Sequence, residues 1–158
     1  MEERCSPHTQ GLCDMDTSAE RLTLSIPSHP CYLCVLQGFF GSLLAGLSFS
    51  STEGMQVTLA VHEACANIMA HSYQGDTAQR IDLTVLITPE ELAVEIRDYG
   101  SKPDLAAIQP RALHDVRPGG LGIHFMRSIM DTVTYDVSPD TGTLLRMTKR
   151  RSEPCTSP

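Results

Sequence analysis

The sequence predicts an α+β domain in which a mixed, mainly antiparallel sheet carries helices on one face. Two alternating stretches at residues 80–88 and 91–98, separated by Pro89 and Glu90, indicate an antiparallel hairpin with one wet face. Two segments with helical periodicity precede this hairpin, and a third helix with two short strands follows it. The resulting order β-α-α-β-β-loop-α-β-β predicts a two-layer α/β sandwich.

The size and charge of the chain indicate one ordinary soluble domain. It has 158 residues, of which 41% are hydrophobic, enough to bury a core without metals or disulfides. Residues 1–20 and 151–158 have no periodicity and are rich in polar residues, so we expect flexible tails around a domain at residues 21–150. The formal net charge of -7 disfavours direct binding to nucleic acid, because phosphates repel an acidic surface.

The cysteines indicate a reducing compartment. Their spacing does not repeat and no secretory signal precedes them, which predicts a cytoplasmic protein. The six cysteines are Cys5, Cys13, Cys31, Cys34, Cys65 and Cys155. Cys31 and Cys34 form a C-x-x-C, which occurs in redox pairs and in zinc sites. Because no second half of a zinc site follows, we expect two half-buried helix cysteines.

The first two elements are a strand and an apolar helix. Residues 21–26 alternate polar and apolar side chains and predict a half-buried strand, and residues 30–47 predict a helix. Residues 26–52 contain no charged side chain, but Pro, Gly, Ser and Gln interrupt them and no basic cluster flanks them, so a membrane span is disfavoured. One broad helix face is lined by Leu33, Leu36, Phe40, Leu43, Leu44 and Leu47, whereas Tyr32, Val35 and Phe39 fall partly off it. This excess of apolar residues predicts that part of the helix lies at an interface.

A second helix is predicted at residues 54–73. Its apolar face consists of Val57, Ala60, Val61, Ala64, Ile68 and His71. Glu63 and Asn67 are four residues apart in this helix, so their side chains lie one turn apart on the same face. An Asn carboxamide oxygen suits Mg2+, and a nearby Glu can deprotonate a hydroxyl, although a solvated helix face would have the same spacing.

The end of the predicted hairpin offers a second candidate site. Asp98 ends the strand, and its carboxylate is able to accept a hydrogen bond from an exocyclic amine. Gly100 follows and would let a planar base approach the backbone, although Asp and Gly after a strand are equally common in an ordinary turn.

The third candidate site is a glycine-rich helix start. Residues 99–118 form a long loop typical of a functional lid, and the segment Gly119-Gly120-Leu121-Gly122 then opens a helix at residues 123–131. Backbone N–H groups at such a start favour phosphate. Neither a Walker loop nor a dinucleotide-binding fingerprint is present. Strands at residues 132–138 and 143–149 close the domain around a turn.

The three candidate segments together resemble the motifs of the Bergerat-fold ATPases, the GHKL or histidine-kinase-like ATPase domains. The N, G1 and G2 boxes of that family are resembled by HEACANIMAHSY (62–73), RDYGSKPD (97–104) and GGLGIHFMRSIMD (119–131). Residues 119–150 are especially similar to stand-alone anti-sigma factor serine/threonine kinases of bacteria. The resemblance covers about residues 21–150 and implies a Bergerat fold.

The resemblance also implies a role for each candidate residue. Glu63 would be the general base, Asn67 would hold Mg2+, and Asp98 would read adenine with Gly100 beside the base. The glycine-rich segment would close over the phosphates of ATP through Gly119, Gly120, Leu121 and Gly122. His71 and Tyr73, which match residue types at the end of the N box, are assigned to packing.

The function that the resemblance implies is a partner switch. Such a protein phosphorylates a serine or threonine of a STAS-type anti-anti-sigma factor and holds a sigma factor inactive. The resemblance also implies a homodimer, whose contact would be made by the apolar helix or by a sheet edge. Two places depart from the family pattern: Ser101 and Lys102 replace a second glycine, and Pro118 stands where a basic residue is common, one step after Arg117. An ATP-dependent sequestering module without kinase activity is the alternative. A sensor histidine kinase is disfavoured because about 50 residues precede the N box.

Overall fold

In the part of the chain that the structure describes, three α-helices cover one five-stranded sheet. The computed structural model describes residues 19–47, 49–102 and 121–151. Its sheet contains β1 (Glu20–Pro27), β2 (Arg80–Ile87), β3 (Glu91–Arg97), β4 (Thr132–Asp136) and β5 (Leu144–Arg150). The helices are α1 (Leu33–Gly46), α2 (Ser51–Asn67) and α3 (Leu121–Ile129). The α+β architecture predicted from the sequence is confirmed.

The strands are arranged in the order β1-β2-β3-β5-β4, and each of these neighbouring pairs is antiparallel. The described sheet is therefore antiparallel throughout, whereas the sequence predicted a mixed sheet. The reason lies in the connection after β1, which contains two successive helices. Two helices that reverse the chain twice return β2 antiparallel to β1, whereas a single crossover helix would have made the pair parallel.

The predicted hairpin is confirmed by the pairing of β2 with β3. Its register runs from Asp82 opposite Arg97 to Ile87 opposite Leu92. The side chains of β2 alternate between the helix-covered face and the outer face, as the alternating sequence predicted. The inward residues of the sheet and helices form one core, whose largest fully buried side chains are Phe40, Leu36, Leu44, Ile81, Leu83, Ile87, Leu92, Ile96, Met126, Met147, Val57 and Val61.

The helix α1 buries one stripe and exposes another. Leu36, Phe40 and Leu44 are buried, whereas Tyr32 and Val35 are 40% and 45% exposed. Phe39, Leu33 and Leu43 are partly buried against the core. No helix in the described part of the chain is long and apolar enough to span a membrane.

The prediction of half-buried cysteines in the C-x-x-C is wrong. Cys31 and Cys34 are both exposed. Cys31 lies in a short 3-10 turn before α1, and Cys34 lies two residues from Leu36, on the opposite side of the helix from the buried stripe. The described residues contain no group of three or more His, Cys, Asp and Glu side chains that could hold a metal ion. Cys65, in contrast, is fully buried in α2, and burial raises its pKa to about 12.

The helix α2 begins and ends differently from the prediction. It starts at Ser51 because Ser50 and Glu53 form a capping box, in which each side chain bonds the backbone N–H of the other residue. After Asn67 the chain continues as a π-helical turn, Ile68–Ser72, which Tyr73 N closes by donating to Ile68 O over 3.0 Å.

The wider turn changes which side chains face the core after Asn67. Met69 and Tyr73 are buried, so the packing role of Tyr73 is confirmed. His71 is exposed, and its assignment to packing is wrong. A spacing of 3.6 residues put His71 on the buried face, but a π turn contains more residues and rotates the following side chains out of that phase.

Candidate nucleotide-binding site

The first part of the candidate site lies where α3 begins against α2. Glu63 and Asn67 are half-buried on α2. A Cβ added to Gly122 would stand 2.8 Å from Glu63 Cδ and closer still to Glu63 Oε1. Any larger residue at this position would force the Glu63 side chain to move, because real Cβ atoms essentially never come within 3.0 Å of a non-bonded heavy atom. The structure therefore brings Glu63 and Gly122, two predicted site residues that are distant in sequence, into direct contact.

Asn67 carries a buried polar group without a partner. Among the described residues, the Nδ2 atom of Asn67 is inaccessible to solvent and has no hydrogen-bond partner. A buried amide usually has a partner, and an orphaned one calls for an explanation, of which a bound water or ion is one. A half-turn of the carboxamide would present Oδ1 in the same position, which is the atom that Mg2+ prefers.

Asp98 is the most enclosed of the predicted site residues whose exposure the structure describes. Only 3% of its surface is exposed. Oδ1 accepts hydrogen bonds from Ser72 Oγ at 2.5 Å and from Gly100 N at 3.0 Å. Oδ2 accepts one, from Thr143 N at 3.2 Å. The carboxylate is therefore fixed in orientation by three donors, and Oδ2 retains the greater capacity to accept a further hydrogen bond.

The turn before β5 supplies residues that the sequence interpretation missed. The backbone of Thr143 makes two hydrogen bonds with Asp98: its N–H donates to the side-chain Oδ2, and its carbonyl accepts from Asp98 N at 3.1 Å. The Thr143 side chain is buried, and among the described residues its Oγ1 has no hydrogen-bond partner. The sequence contained one signal, because Gly142 ends the last predicted turn directly before Thr143, but a turn glycine alone does not indicate a site.

Gly100 is placed against the π turn after α2. A Cβ on Gly100 would stand 2.5 Å from Ser72 O and closer still to Ser72 Oγ. The sequence interpretation attributed this glycine to the approach of a planar base. In the structure, the space that its missing side chain leaves is taken by Ser72.

Tyr99, between Asp98 and Gly100, is anchored on the outer face of the sheet. Its ring lies between the guanidinium groups of Arg80 and Arg97, whose Cζ atoms are 4.9 and 4.7 Å from the ring centroid. Its hydroxyl donates to Asp82 Oδ2 at 2.6 Å. These contacts hold the backbone on which Asp98 and Gly100 are carried.

Asp82 is the acceptor at the centre of that network. Burial by itself would raise the pKa of Asp82, but hydrogen bonds from Ser25 and Tyr99 and the charge of Arg80 lower it overall. The carboxylate is therefore ionised at neutral pH and accepts hydrogen bonds from Ser25, Arg80 and Tyr99.

The glycine-rich segment is described only in part. Gly119 and Gly120 lie outside the described residues. Leu121 begins α3, and Gly122 follows within its first turn. The predicted helix is thus confirmed, and Gly122, which was predicted to precede it, lies within it.

Comparison with known proteins agrees with this arrangement. The model of the family described as histidine kinase-like ATPase domain matches residues 26–149. A serine-protein kinase RsbW of Listeria monocytogenes (serotype 4a, strain HCC23) is 30% identical over 151 residues, which cover 88% of this chain and 92% of that protein. The RsbW proteins of Bacillus subtilis (strain 168) and Bacillus velezensis are each 24% identical over 143 residues, covering 85% of this chain and 88% of theirs.

The matched range contains every described element that forms the candidate site. It includes α2 with the π turn, the end of β3, the first turn of α3 and the turn before β5. The chain belongs to the histidine kinase-like ATPase domain family.

Proposed function

We propose that this protein is a Mg2+- and ATP-dependent serine/threonine protein kinase and anti-sigma factor of the cytoplasm. It binds a sigma factor, and it phosphorylates a STAS-type anti-anti-sigma factor that would otherwise release the sigma factor. The similarity to RsbW serine-protein kinases over most of both chains supports this activity. The contact of Glu63 with Gly122 is the observation that carries it, because it sets a general base beside a phosphate-binding helix start.

The residues present fit both ATP and Mg2+. Two buried polar groups at the site lack partners within the described residues, namely the Asn67 carboxamide and the Thr143 hydroxyl. Asn67 would be the protein ligand of Mg2+, while Asp98 and Thr143 would accept and donate hydrogen bonds at the adenine. Mg2+ supplies neutralisation of the phosphate charge when it is bound.

The chemical role of the protein is mainly one of positioning. Glu63 accepts the proton of the attacking serine or threonine hydroxyl as the new O–P bond forms and the bond to the leaving ADP breaks. The backbone N–H groups of Gly119, Gly120, Leu121 and Gly122 hold the phosphates at the positive end of α3. Gly100 keeps the loop after β3 close to Ser72 and thereby supports Asp98.

The proposed reaction predicts a specific transfer. Incubated with Mg-ATP labelled at the γ-phosphate, the protein should transfer the label to a STAS protein from the same genome. Asn67→Ala should weaken Mg-ATP binding about tenfold or more, because a metal ligand is lost. Calorimetry measures the affinity, and autoradiography or mass spectrometry measures the transfer.

The matched control for this variant is Gln56→Ala. Gln56 is an exposed carboxamide on the same helix, and its loss should leave Mg-ATP affinity unchanged. Equal affinity of the wild type and Asn67→Ala for Mg-ATP would remove Asn67 from the metal site.

The protein is further proposed to be a homodimer. The exposed side chains of Tyr32 and Val35 sit at the beginning of α1, where a second copy would remove them from water. Light scattering at tens of micromolar should give twice the monomer mass. Val35→Glu should weaken dimerisation about tenfold or more, since an unpaired charge would be buried. Gln37→Glu adds a charge at an exposed position on the other side of the same helix and serves as the control.

Two experimental results would contradict different parts of this prediction. A strictly monomeric wild type, with and without ATP, would refute the dimer. An intact dimer in Val35→Glu would place the contact away from the start of α1.

A further inference from the structure

Ser72 connects three parts of the candidate site. It ends the π turn that follows Asn67. Its hydroxyl donates to Asp98 Oδ1 at 2.5 Å. Its carbonyl oxygen accepts hydrogen bonds from Ser101 N at 3.2 Å and Ser101 Oγ at 3.0 Å. One residue therefore joins the end of the α2 segment to the Asp98 side chain and to the backbone beyond it.

The π turn is what makes this connection geometrically available. Two buried residues anchor the turn in the core, namely Met69 within it and Tyr73 directly after it. Tyr73 also accepts a hydrogen bond from Tyr99 N at 2.9 Å, next to Asp98. Ser72 is thus held between two anchored residues on one side and Gly100 on the other, where a Cβ would not fit. Of the two acceptors near its hydroxyl, Asp98 Oδ1 at 2.5 Å is much closer than Ser101 O at 3.3 Å, so the hydroxyl donates mainly to Asp98.

We propose that Ser72 is a positioning residue for nucleotide specificity: it orients the Asp98 carboxylate so that Oδ2 is presented to the amino group of adenine. This inference rests on the proposed function, in which Asp98 reads the base. Ser72 Oγ and Gly100 N together occupy Oδ1, while Oδ2 receives a single, longer hydrogen bond from Thr143 N. Without the hydroxyl of Ser72, Oδ1 keeps one donor, and the carboxylate can rotate away from the base.

The test compares ATP with inosine triphosphate, which carries a carbonyl in place of the amino group of adenine. Calorimetry on the full chain gives the affinity for each nucleotide with Mg2+ present. Ser72→Ala should lower ATP affinity about tenfold and inosine triphosphate affinity less than about twofold, because one hydrogen bond to a charged group is worth about a factor of ten. The preference for ATP should therefore fall by about fivefold or more.

Three further variants make the result specific. Ser72→Thr retains the hydroxyl and should restore the preference for ATP. Ser72→Cys keeps the volume with a weaker donor, should give an intermediate preference, and serves as the test if the alanine variant does not fold. Ser51→Ala, the same change at the exposed opposite end of α2, should leave both affinities unchanged.

The outcomes separate this inference from the proposed function. A wild type that binds ATP no better than inosine triphosphate would overturn both the role of Asp98 and that of Ser72. A wild type that prefers ATP, with the same preference in Ser72→Ala, would overturn the role of Ser72 alone. Equal losses for the two nucleotides would also overturn it, because they would show a purely structural effect.

Discussion

Replacing Glu63 by Gln is expected to lower the rate of phosphoryl transfer by about a hundredfold to ten-thousandfold, the usual contribution of a general base. Gln has nearly the same shape as Glu, so the contact with Gly122 is kept. What it loses is the capacity to take the hydroxyl proton. ATP binding should therefore persist, and the loss should appear in the single-turnover rate of transfer to the STAS protein.

The matched control is Glu90→Gln, which removes the same charge from the exposed β2–β3 loop and should leave the rate unchanged. A transfer rate for Glu63→Gln within about twofold of the wild type would exclude Glu63 as the base. The same experiment tests the sequestering alternative. A wild type that binds Mg-ATP and the sigma factor but transfers no phosphate would replace the kinase by a binding module.

The second large effect is expected for Gly142→Ala, which should destabilise the protein by about 2–4 kcal/mol. Gly142 has φ of 63°, a conformation that an L side chain rarely adopts. A Cβ there would also stand 2.6 Å from the Asp98 carbonyl carbon and 2.7 Å from Tyr99 Cα. Both are backbone atoms, so the neighbours cannot move aside by changing a rotamer.

The location of the clash adds a functional consequence. Displacing the turn would separate Thr143 from Asp98, so we expect ATP affinity to fall together with stability. Urea unfolding gives the free energy of unfolding, and calorimetry gives the ATP affinity of the fraction that remains folded.

Two other glycines separate the contribution of the positive φ from that of the steric clash in the destabilisation by Gly142→Ala. Gly75 has φ of 83° but open space around its would-be Cβ, so Gly75→Ala should cost about 1 kcal/mol from the backbone alone. Gly46 has open space and no positive φ, so Gly46→Ala should be neutral or slightly stabilising. If Gly142→Ala cost no more than Gly75→Ala, the close packing of the turn on Asp98 would be refuted.

Features with a local cause could be predicted from the sequence. The β2–β3 hairpin follows from the alternation of polar and apolar residues on either side of a short turn. Glu63 and Asn67 lie on the same face of one helix because residues four apart in a helix are one turn apart. The presence of α3 in the segment that follows Gly119 and Gly120 is likewise a feature with a local cause. In each case the interacting residues are close in the chain, so their relative positions depend on backbone geometry alone.

The errors arose where packing overrode local periodicity. A uniform helical period placed His71 in the core, but the π turn after Asn67 buries Met69 and Tyr73 instead. Cys34 is exposed because α1 turns the stripe of Leu36, Phe40 and Leu44 toward the core, and Cys34 lies off that stripe.

By itself, the sequence determined the class of fold, the order of the elements and the residues that carry the proposed chemistry. Only the tertiary structure decided how those residues meet: Gly122 against Glu63, Ser72 and Thr143 on the Asp98 carboxylate, and Gly142 against the backbone of Tyr99. These contacts join segments that are far apart in the chain. Their geometry depends on the order of strands in the sheet and on the packing of α2 and α3, which no local pattern of residues encodes.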